Sequence, residues 1–328
     1  MKIEFTRKGK LMRLTAYLML FLLAWSCVFL DDIEYPETAT AGETATFSMN
    51  VRIEPAEDAS NARLVVGYLV PKSWDAANNT TVTYTSNVDE GVQTSSLIPE
   101  GNLPKNGNGL TWQEGIKEQF GFGPNVLNDM EWVVFWTDKV YNVSNGEKIN
   151  AKFKLETKLG TENLRVKLGF FINDTGDGLS GDTKRAKALF SDCIEVTGGD
   201  GAVTDFCELH LNSAQPVTAT KDDILTFKFQ GDVSENALNG ASEIFFCATA
   251  YTDNGNSYTV CDLGPSSKMR KESDFGNTYS ITFWPGGYFN IPAGESITRI
   301  EYSFKNKDGS IEVIDNNASL FQYFFKCG

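Results

Sequence analysis

Thr44-Ala45-Thr46-Phe47-Ser48-Met49-Asn50-Val51-Arg52-Ile53-Glu54 alternates apolar and polar residues without a break. Successive side chains of a strand point to opposite faces, so this segment reads as a β-strand with one dry side (Ala45, Phe47, Met49, Val51, Ile53) and one wet side. Lys148–Glu156 repeats the pattern through Ile149, Ala151, Phe153 and Leu155. Leu164–Ile172 does so through Leu164, Val166, Leu168, Phe170 and Ile172, and reads as one strand. Strands of this kind build antiparallel sheets packed face to face, which sets the class as all-β.

Outward from these segments the chain divides in two. Thr197-Gly198-Gly199-Asp200-Gly201 is a flexible cluster between strands expected at Asp192–Val196 and Asp205–Leu211. Beyond it, Asp223–Gln230, Glu243–Tyr251, Ser257–Asp262, Thr278–Trp284, Ile297–Phe304, Ser310–Ile314 and Leu320–Phe325 read as short strands. Asp253-Asn254-Gly255-Asn256 and Lys307-Asp308-Gly309 supply tight turns. The expectation is two tandem immunoglobulin-like β-sandwiches, at 33–200 and 201–328. One helix is expected, Thr111–Phe120, where Thr111 and Glu114 have capping-box spacing, Ile116 and Phe120 share a face, and Gly121-Phe122-Gly123-Pro124 ends the run. It lies in an insertion from about Asn87 to Asp129.

The N-terminus reads as an export signal over residues 1–26. Lys2, Arg7, Lys8, Lys10 and Arg13 precede an apolar run from Leu14 to Ala24. That run is shorter than the roughly 20 residues of a transmembrane helix. Met12 is an alternative start. Leu22-Leu23-Ala24-Trp25-Ser26-Cys27 resembles a bacterial lipobox, with Trp25 outside its tightest form, and makes Cys27 the expected acylation site. Residues 27–32 then read as an acidic tether, and Asp31, Asp32 and Glu34 resemble an export tag for the cell surface.

Cleavage before Cys27 removes five of the 29 basic residues and one of the 43 acidic ones, leaving a formal charge of −18. Such a surface repels nucleic acid and anionic lipid, so membrane attachment is left to the lipid. The expected location is the outer membrane, lipid-anchored and facing outward.

Five further cysteines, Cys193, Cys207, Cys247, Cys261 and Cys327, contain no CxxC pair, and an odd count leaves one unpaired within the chain. Cys247 and Cys261 flank the Asp253-Asn254-Gly255 turn almost symmetrically and are expected to be cross-strand neighbours. The alternative pairing is Cys207 with Cys327, which would join the first and last strands of the second sandwich.

A single histidine, His210, and the absence of a Gly-x-Ser-x-Gly elbow argue against a catalytic triad. No pair of carboxylates stands out for glycosidase chemistry. No cofactor is expected. In Asn173–Asp182 the carboxylates Asp174, Asp177 and Asp182 on a glycine-bent loop are weak calcium candidates; the EF-hand pattern fails because its twelfth position is Lys184. Aromatic rings are the better ligand candidates. Tyr279, Ile281 and Phe283 take one face of their strand, which turns Trp284 outward just before Pro285-Gly286-Gly287-Tyr288. Trp284 and Tyr288 are therefore the first glycan-binding candidates, with Trp74 and Trp112, in or beside loops, second. Trp132 and Trp136 sit in a strand apolar on both faces and read as core.

Val66-Gly67-Tyr68-Leu69-Val70-Pro71-Lys72-Ser73-Trp74, Glu131-Trp132-Val133-Val134-Phe135-Trp136-Thr137-Asp138-Lys139 and Asp205-Phe206-Cys207 resemble a family of Bacteroidetes lipoproteins classed as a domain of unknown function and associated with polysaccharide-utilisation loci. Ile300–Gly309 is similar to the last hairpin of sandwich modules in surface glycan-binding and starch-utilisation accessory lipoproteins. The resemblance implies a non-catalytic accessory protein that binds an oligosaccharide or polysaccharide beside an outer-membrane transporter. A structural or adhesive surface protein is the alternative, and a carbohydrate-active enzyme the third.

Overall fold

The computed structural model describes residues 27–54, 59–180, 187–315 and 318–326. The export segment, Asp182 and Cys327 lie outside these.

The alternation of Thr44–Glu54 is realised as a strand with those bounds, its five apolar side chains all buried. It pairs antiparallel with Ile149–Lys158, setting Met49 opposite Phe153 and Val51 opposite Ala151. These two strands belong to a nine-stranded sheet. In spatial order it runs Cys27–Glu34, Thr44–Glu54, Ile149–Lys158, Thr80–Ser86, Gln93–Leu97, Met130–Thr137, Leu64–Pro71, Gly169–Asp174 and Lys187–Phe190. The sheet curls until its two edge strands lie alongside each other. A four-stranded sheet, Asp200–Asp205, Glu162–Val166, Ile194–Thr197 and Thr38–Thr40, and a two-stranded pair, Ala59–Ala62 with Tyr141–Val143, complete the first domain. Leu64–Pro71 is buried along its whole length, and its Tyr68 ring packs against Phe170 and Phe47 at 5.5 and 5.7 Å. Full burial of a large apolar side chain is worth about 1.5–3 kcal/mol, so this aromatic cluster is a main source of the domain's stability.

The second domain packs Asn212–Gln215, Leu225–Gln230, Thr278–Phe283 and Arg270–Lys271 against a five-stranded sheet. There Ser257–Val260, Ile244–Thr252 and Ile297–Asn306 run in order, and the last pairs at its far edge with both Glu312–Val313 and Phe321–Phe324. Phe227 sits at the centre, its ring 4.8–5.6 Å from those of Phe246, Tyr302, Phe283 and Tyr323. The chain is thus all-β, with two tandem immunoglobulin-like sandwiches. The expected helix forms at Trp112–Phe120, with Thr111 as N-cap and both capping-box hydrogen bonds to and from Glu114. Among the described residues no helix is long and apolar enough to cross a membrane.

Four expectations are corrected. Residues 27–32 are not a tether: Cys27–Glu34 is an edge strand paired with Thr44–Glu54, with Val28 and Leu30 buried. Two of its three acids are paired on the outer face, Asp31 with Arg52 and Glu34 with Lys152. Leu164–Ile172 is two strands in different sheets. The break at Lys167 is held by Asn125, whose side chain donates to the Lys167 carbonyl at 2.8 Å and accepts from its N–H at 3.0 Å.

The domain boundary lies later than residue 200. Asp200–Asp205 pairs in parallel with Glu162–Val166, Phe206 is buried in the first core, and Gly198 and Gly201 make a turn at positive φ within that domain. Residues 206–211 form the junction in place of a strand. Finally, Cys207 bonds to Cys193, not Cys327, which ties the junction back to the first domain. The Cys247–Cys261 disulfide does form, with α-carbons 4.4 Å apart.

Candidate functional site

Trp284 stands where strand parity puts it, at the end of Thr278–Phe283 and half-exposed (51%). Its position is fixed from two sides. The indole Nε1 donates to the Lys221 carbonyl at 3.1 Å, and the ring lies over the short helical turn Pro285–Tyr288. That close approach is why the turn carries two glycines: a Cβ on Gly286 would come within 2.6 Å of the ring, and one on Gly287 within 2.8 Å. One residue beyond the last strand pair, Leu225 with Phe283, stand Ile224 and Trp284, both exposed. Inward along the same face run hydroxyl and amide side chains. Thr226 and Thr282 share a hydrogen bond of 2.8 Å, and Gln215 is opposite Thr226 on the next strand. Lys228 pairs with Glu272 one step further. An immobilised aromatic face bordered by such groups matches the general make-up of a polar-ligand platform.

Tyr288 does not complete a two-ring platform. Its ring stacks on Phe283 at 4.0 Å and meets Phe289 edge-on at 4.9 Å, and burial pushes its phenol well above the usual range. The turn that supports Trp284 rolls Tyr288 back over the end of the sandwich core. As exposed stacking rings Trp74 and Trp112 are also corrected, being 1% and 2% exposed. Each opens a loop in the sequence, but Trp74 closes a 3₁₀ turn at Lys72–Trp74 and Trp112 is the first residue of its helix, and both turn inward. Trp132 is core as expected, donating to the Gly121 carbonyl, while Trp136 is only partly buried and lies under the Arg63 guanidinium.

The calcium candidates Asp174 and Asp177 are buried in one turn, where their oxygens serve the loop itself. Asp174 accepts from the N–H groups of Gly176 and Asp177, and Asp177 from the Ser180 hydroxyl. Among the described residues the one close-set group of possible metal ligands is Cys193, Asp205 and Cys207, and its two sulfurs are joined in a disulfide.

A second feature was not apparent from the sequence. Between the domains lies a cleft of about 1200 Å³, into which Ser73, Trp74, Glu162, Asp205, His210 and Tyr302 converge from positions far apart in the chain. Asp205 organises its junction wall. It accepts from Arg165 Nη1 at 2.7 Å, from the Cys207 and Glu208 N–H groups at 2.7 and 3.1 Å, and its Oδ2 lies 2.9 Å from His210 Nε2. Burial raises the carboxyl's pKa, but the His210, Cys207 and Glu208 hydrogen bonds and the Arg165 charge outweigh it and hold the group below the usual range.

Residues 28–210 match the family model described as a domain of unknown function, DUF4961. The chain belongs to this family. Residues 212–313 match a second domain of unknown function, DUF8578, so the break between the two models falls at the structural junction. The DUF4961 domain therefore includes the Cys193–Cys207 disulfide and Asp205, while Trp284 belongs to the DUF8578 domain. No curated protein matches the chain. Among solved structures, the C-terminal domain of the Streptococcus pyogenes antigen I/II-family protein AspA is similar at 9% identity, covering 93% of this chain and 100% of its own, with a TM-score of 0.26. The major pilin subunit BcpA of Bacillus cereus is similar at 11% identity over 88% of this chain and 67% of its own, with a TM-score of 0.19. AvmM, which catalyses macrocyclization in alchivemycin A biosynthesis, is similar at 11% identity over 54% of this chain and 91% of its own, with a TM-score of 0.28. Likenesses this distant say nothing of activity.

Proposed function

We propose that this chain is a non-catalytic, lipid-anchored outer-membrane protein that holds polysaccharide at the cell surface, with Trp284 as its stacking residue. The observation that carries the reading is the fixed, half-exposed indole at the end of a hydroxyl- and amide-bearing sheet face. A flat ring immobilised before binding loses little entropy when a sugar stacks on it, and neighbouring hydroxyl and amide groups meet the sugar's own. The strongly acidic composition favours a neutral or cationic polymer over an anionic one. Lipidation at Cys27, the outward orientation and the proximity to a transporter come from the lipobox-like ending and the family resemblance.

The non-catalytic reading is supported by the state of the candidate groups. Among the described residues the His210 ring is hydrogen-bonded to Asp205 and to no serine or thiol, so no nucleophile–base pair is set up. Both Asp205 oxygens are occupied.

A glycan array probed with the chain from Val28 onward tests the proposal. Binding that is lost in Trp284→Leu while the far-ultraviolet spectrum is kept supports it; no binding to any glycan refutes it.

An adhesive role is the second reading, and one residue favours it. Phe275, in the loop between Arg270–Lys271 and Thr278–Phe283, is 99% exposed. A ring so placed is more readily explained by a protein contact than by folding. Loss of cell-to-surface attachment in Phe275→Ser, with glycan binding unchanged, would favour this reading.

A further inference from the structure

Independently of Trp284, we propose that the cleft between the domains is a separate binding site for a short, neutral, hydroxyl-rich ligand such as a mono- to trisaccharide. Three groups lining it carry buried polar atoms without a hydrogen-bond partner. Glu162 is 8% exposed and neither of its carboxylate oxygens has a hydrogen-bond partner. Trp74 is 1% exposed and its Nε1 is unpartnered, as is the hydroxyl of the adjacent Ser73. Buried polar atoms are nearly always satisfied, and a buried carboxylate without partners is among the least tolerated.

The chemistry of the three groups selects the ligand class. A carboxylate only accepts, an indole N–H only donates, and a serine hydroxyl does both. An ammonium group would satisfy Glu162 and leave Trp74 without an acceptor; a carboxylate or phosphate would do the reverse and be repelled by Glu162. A hydroxyl donates to the one and accepts from the other, so a molecule carrying several hydroxyls suits the chemistry of all three. On the Asp205 wall Arg165 is paired with Asp205 and Glu195 and His210 with Asp205, and the buried Arg165 Nε, which has no hydrogen-bond partner, is a further donor that a hydroxyl would satisfy. On the opposite wall Phe324 of the second domain, 38% exposed, offers ring surface for a sugar's C–H faces, while Tyr302, Phe321 and Tyr323 back it from the core. The volume, about 1200 Å³, slightly exceeds the usual range for small-ligand sites and accommodates more than one sugar unit.

Saturation-transfer NMR and thermal shift with glucose, galactose, mannose, xylose, N-acetylglucosamine, maltose, cellobiose and maltotriose test the proposal on the chain from Val28 onward. Glu162→Gln is the informative variant because it is close to isosteric and removes an uncompensated charge. The expected result is at least one sugar that binds saturably to wild type and about tenfold or more weakly to Glu162→Gln, while the unliganded variant melts at or above the wild-type temperature. Trp74→Phe, which removes the N–H and keeps most of the ring, is expected to weaken the same sugar without lowering the melting temperature by more than ~4 °C. Trp284→Leu is expected to leave this binding intact, which separates the site from the sheet-face platform. The proposal is overturned if no sugar binds saturably (the groups being served by water alone), if binding survives Glu162→Gln within twofold, or if that variant melts well below wild type.

Discussion

Gly286→Ala probes the Trp284 platform without removing the ring. The added methyl would lie 2.6 Å from the indole carbon Cζ2, far inside contact distance, and Gly286 is not at positive φ, so the backbone accepts alanine and the ring must swing away. Two opposing terms set the stability change. Displacing the indole gives up its hydrogen bond to the Lys221 carbonyl, worth about 1 kcal/mol net. Replacing glycine by alanine inside a helical turn returns about 1 kcal/mol. The melting temperature of the second domain is therefore expected to stay within ~5 °C of wild type. Local exposure should change much more. Trp74, Trp112 and Trp132 are buried and Trp136 is partly covered, so acrylamide quenching of the chain from Val28 onward reports mainly on Trp284 and should rise. On the glycan identified by array, loss of a stacked anchor of about 2 kcal/mol should weaken binding some 30-fold by titration calorimetry. Raised quenching with unchanged affinity would refute the platform. A fall in melting temperature well beyond ~5 °C would show that the indole belongs to the sandwich core.

Replacing both Cys247 and Cys261 by serine opens a loop of 14 residues in sequence separation and should cost about 2–3 kcal/mol, seen as an earlier urea midpoint with an altered slope. Asp205 contributes stability in its ionised form because its folded pKa is lowered; that contribution is present above the unfolded carboxylate value of about 3.9 and is lost as pH falls through the lower folded value. Asp205→Asn should thus destabilise the chain at pH 7 and narrow its gap from wild type near pH 2, by urea denaturation across that range. Phe227→Ala, at the centre of the second core, should cost about 3–5 kcal/mol. Cys27→Ser should move the protein from the detergent phase to the aqueous phase in Triton X-114 partition, and retention in the detergent phase would exclude Cys27 as the anchor.

Much of the fold was legible because alternation is a local record of burial. Thr44–Glu54 and seven strands of the second domain read correctly to within a few residues, Asn212–Gln215 and Arg270–Lys271 being missed, and Thr111 with Glu114 announced the helix. What failed depended on partners distant in sequence. Nothing in Leu164–Ile172 signals a change of sheet, since alternation passes straight through Lys167; the break is made by Asn125, some forty residues earlier. Gly198 and Gly201 read as a linker because glycine marks flexibility and tight turns alike. Asp31, Asp32 and Glu34 disguised an edge strand as a tether, since acids on an outer face look like a solvated segment until Arg52 and Lys152 are seen opposite them. Trp284 was found by parity on its own strand. The cleft was beyond reach, because Ser73, Glu162 and Tyr302 meet only once two domains have closed on each other.

The pairing of Cys27 opposite Glu54 has a mechanical consequence for a chain anchored at that cysteine. A flexible leader of n residues lets a domain roam up to about 3.5 Å times n from its lipid. With the lipid on Cys27 such a leader would have no length, because Cys27 is already paired into a sheet edge. Such a molecule would stand on the membrane as a post, its first sheet seated on the headgroups and its orientation inherited from the strand. How far it reaches for polymer would then be set by the stacking of its two domains. Lengthening the leader between Cys27 and Val28 would add swing and subtract aim.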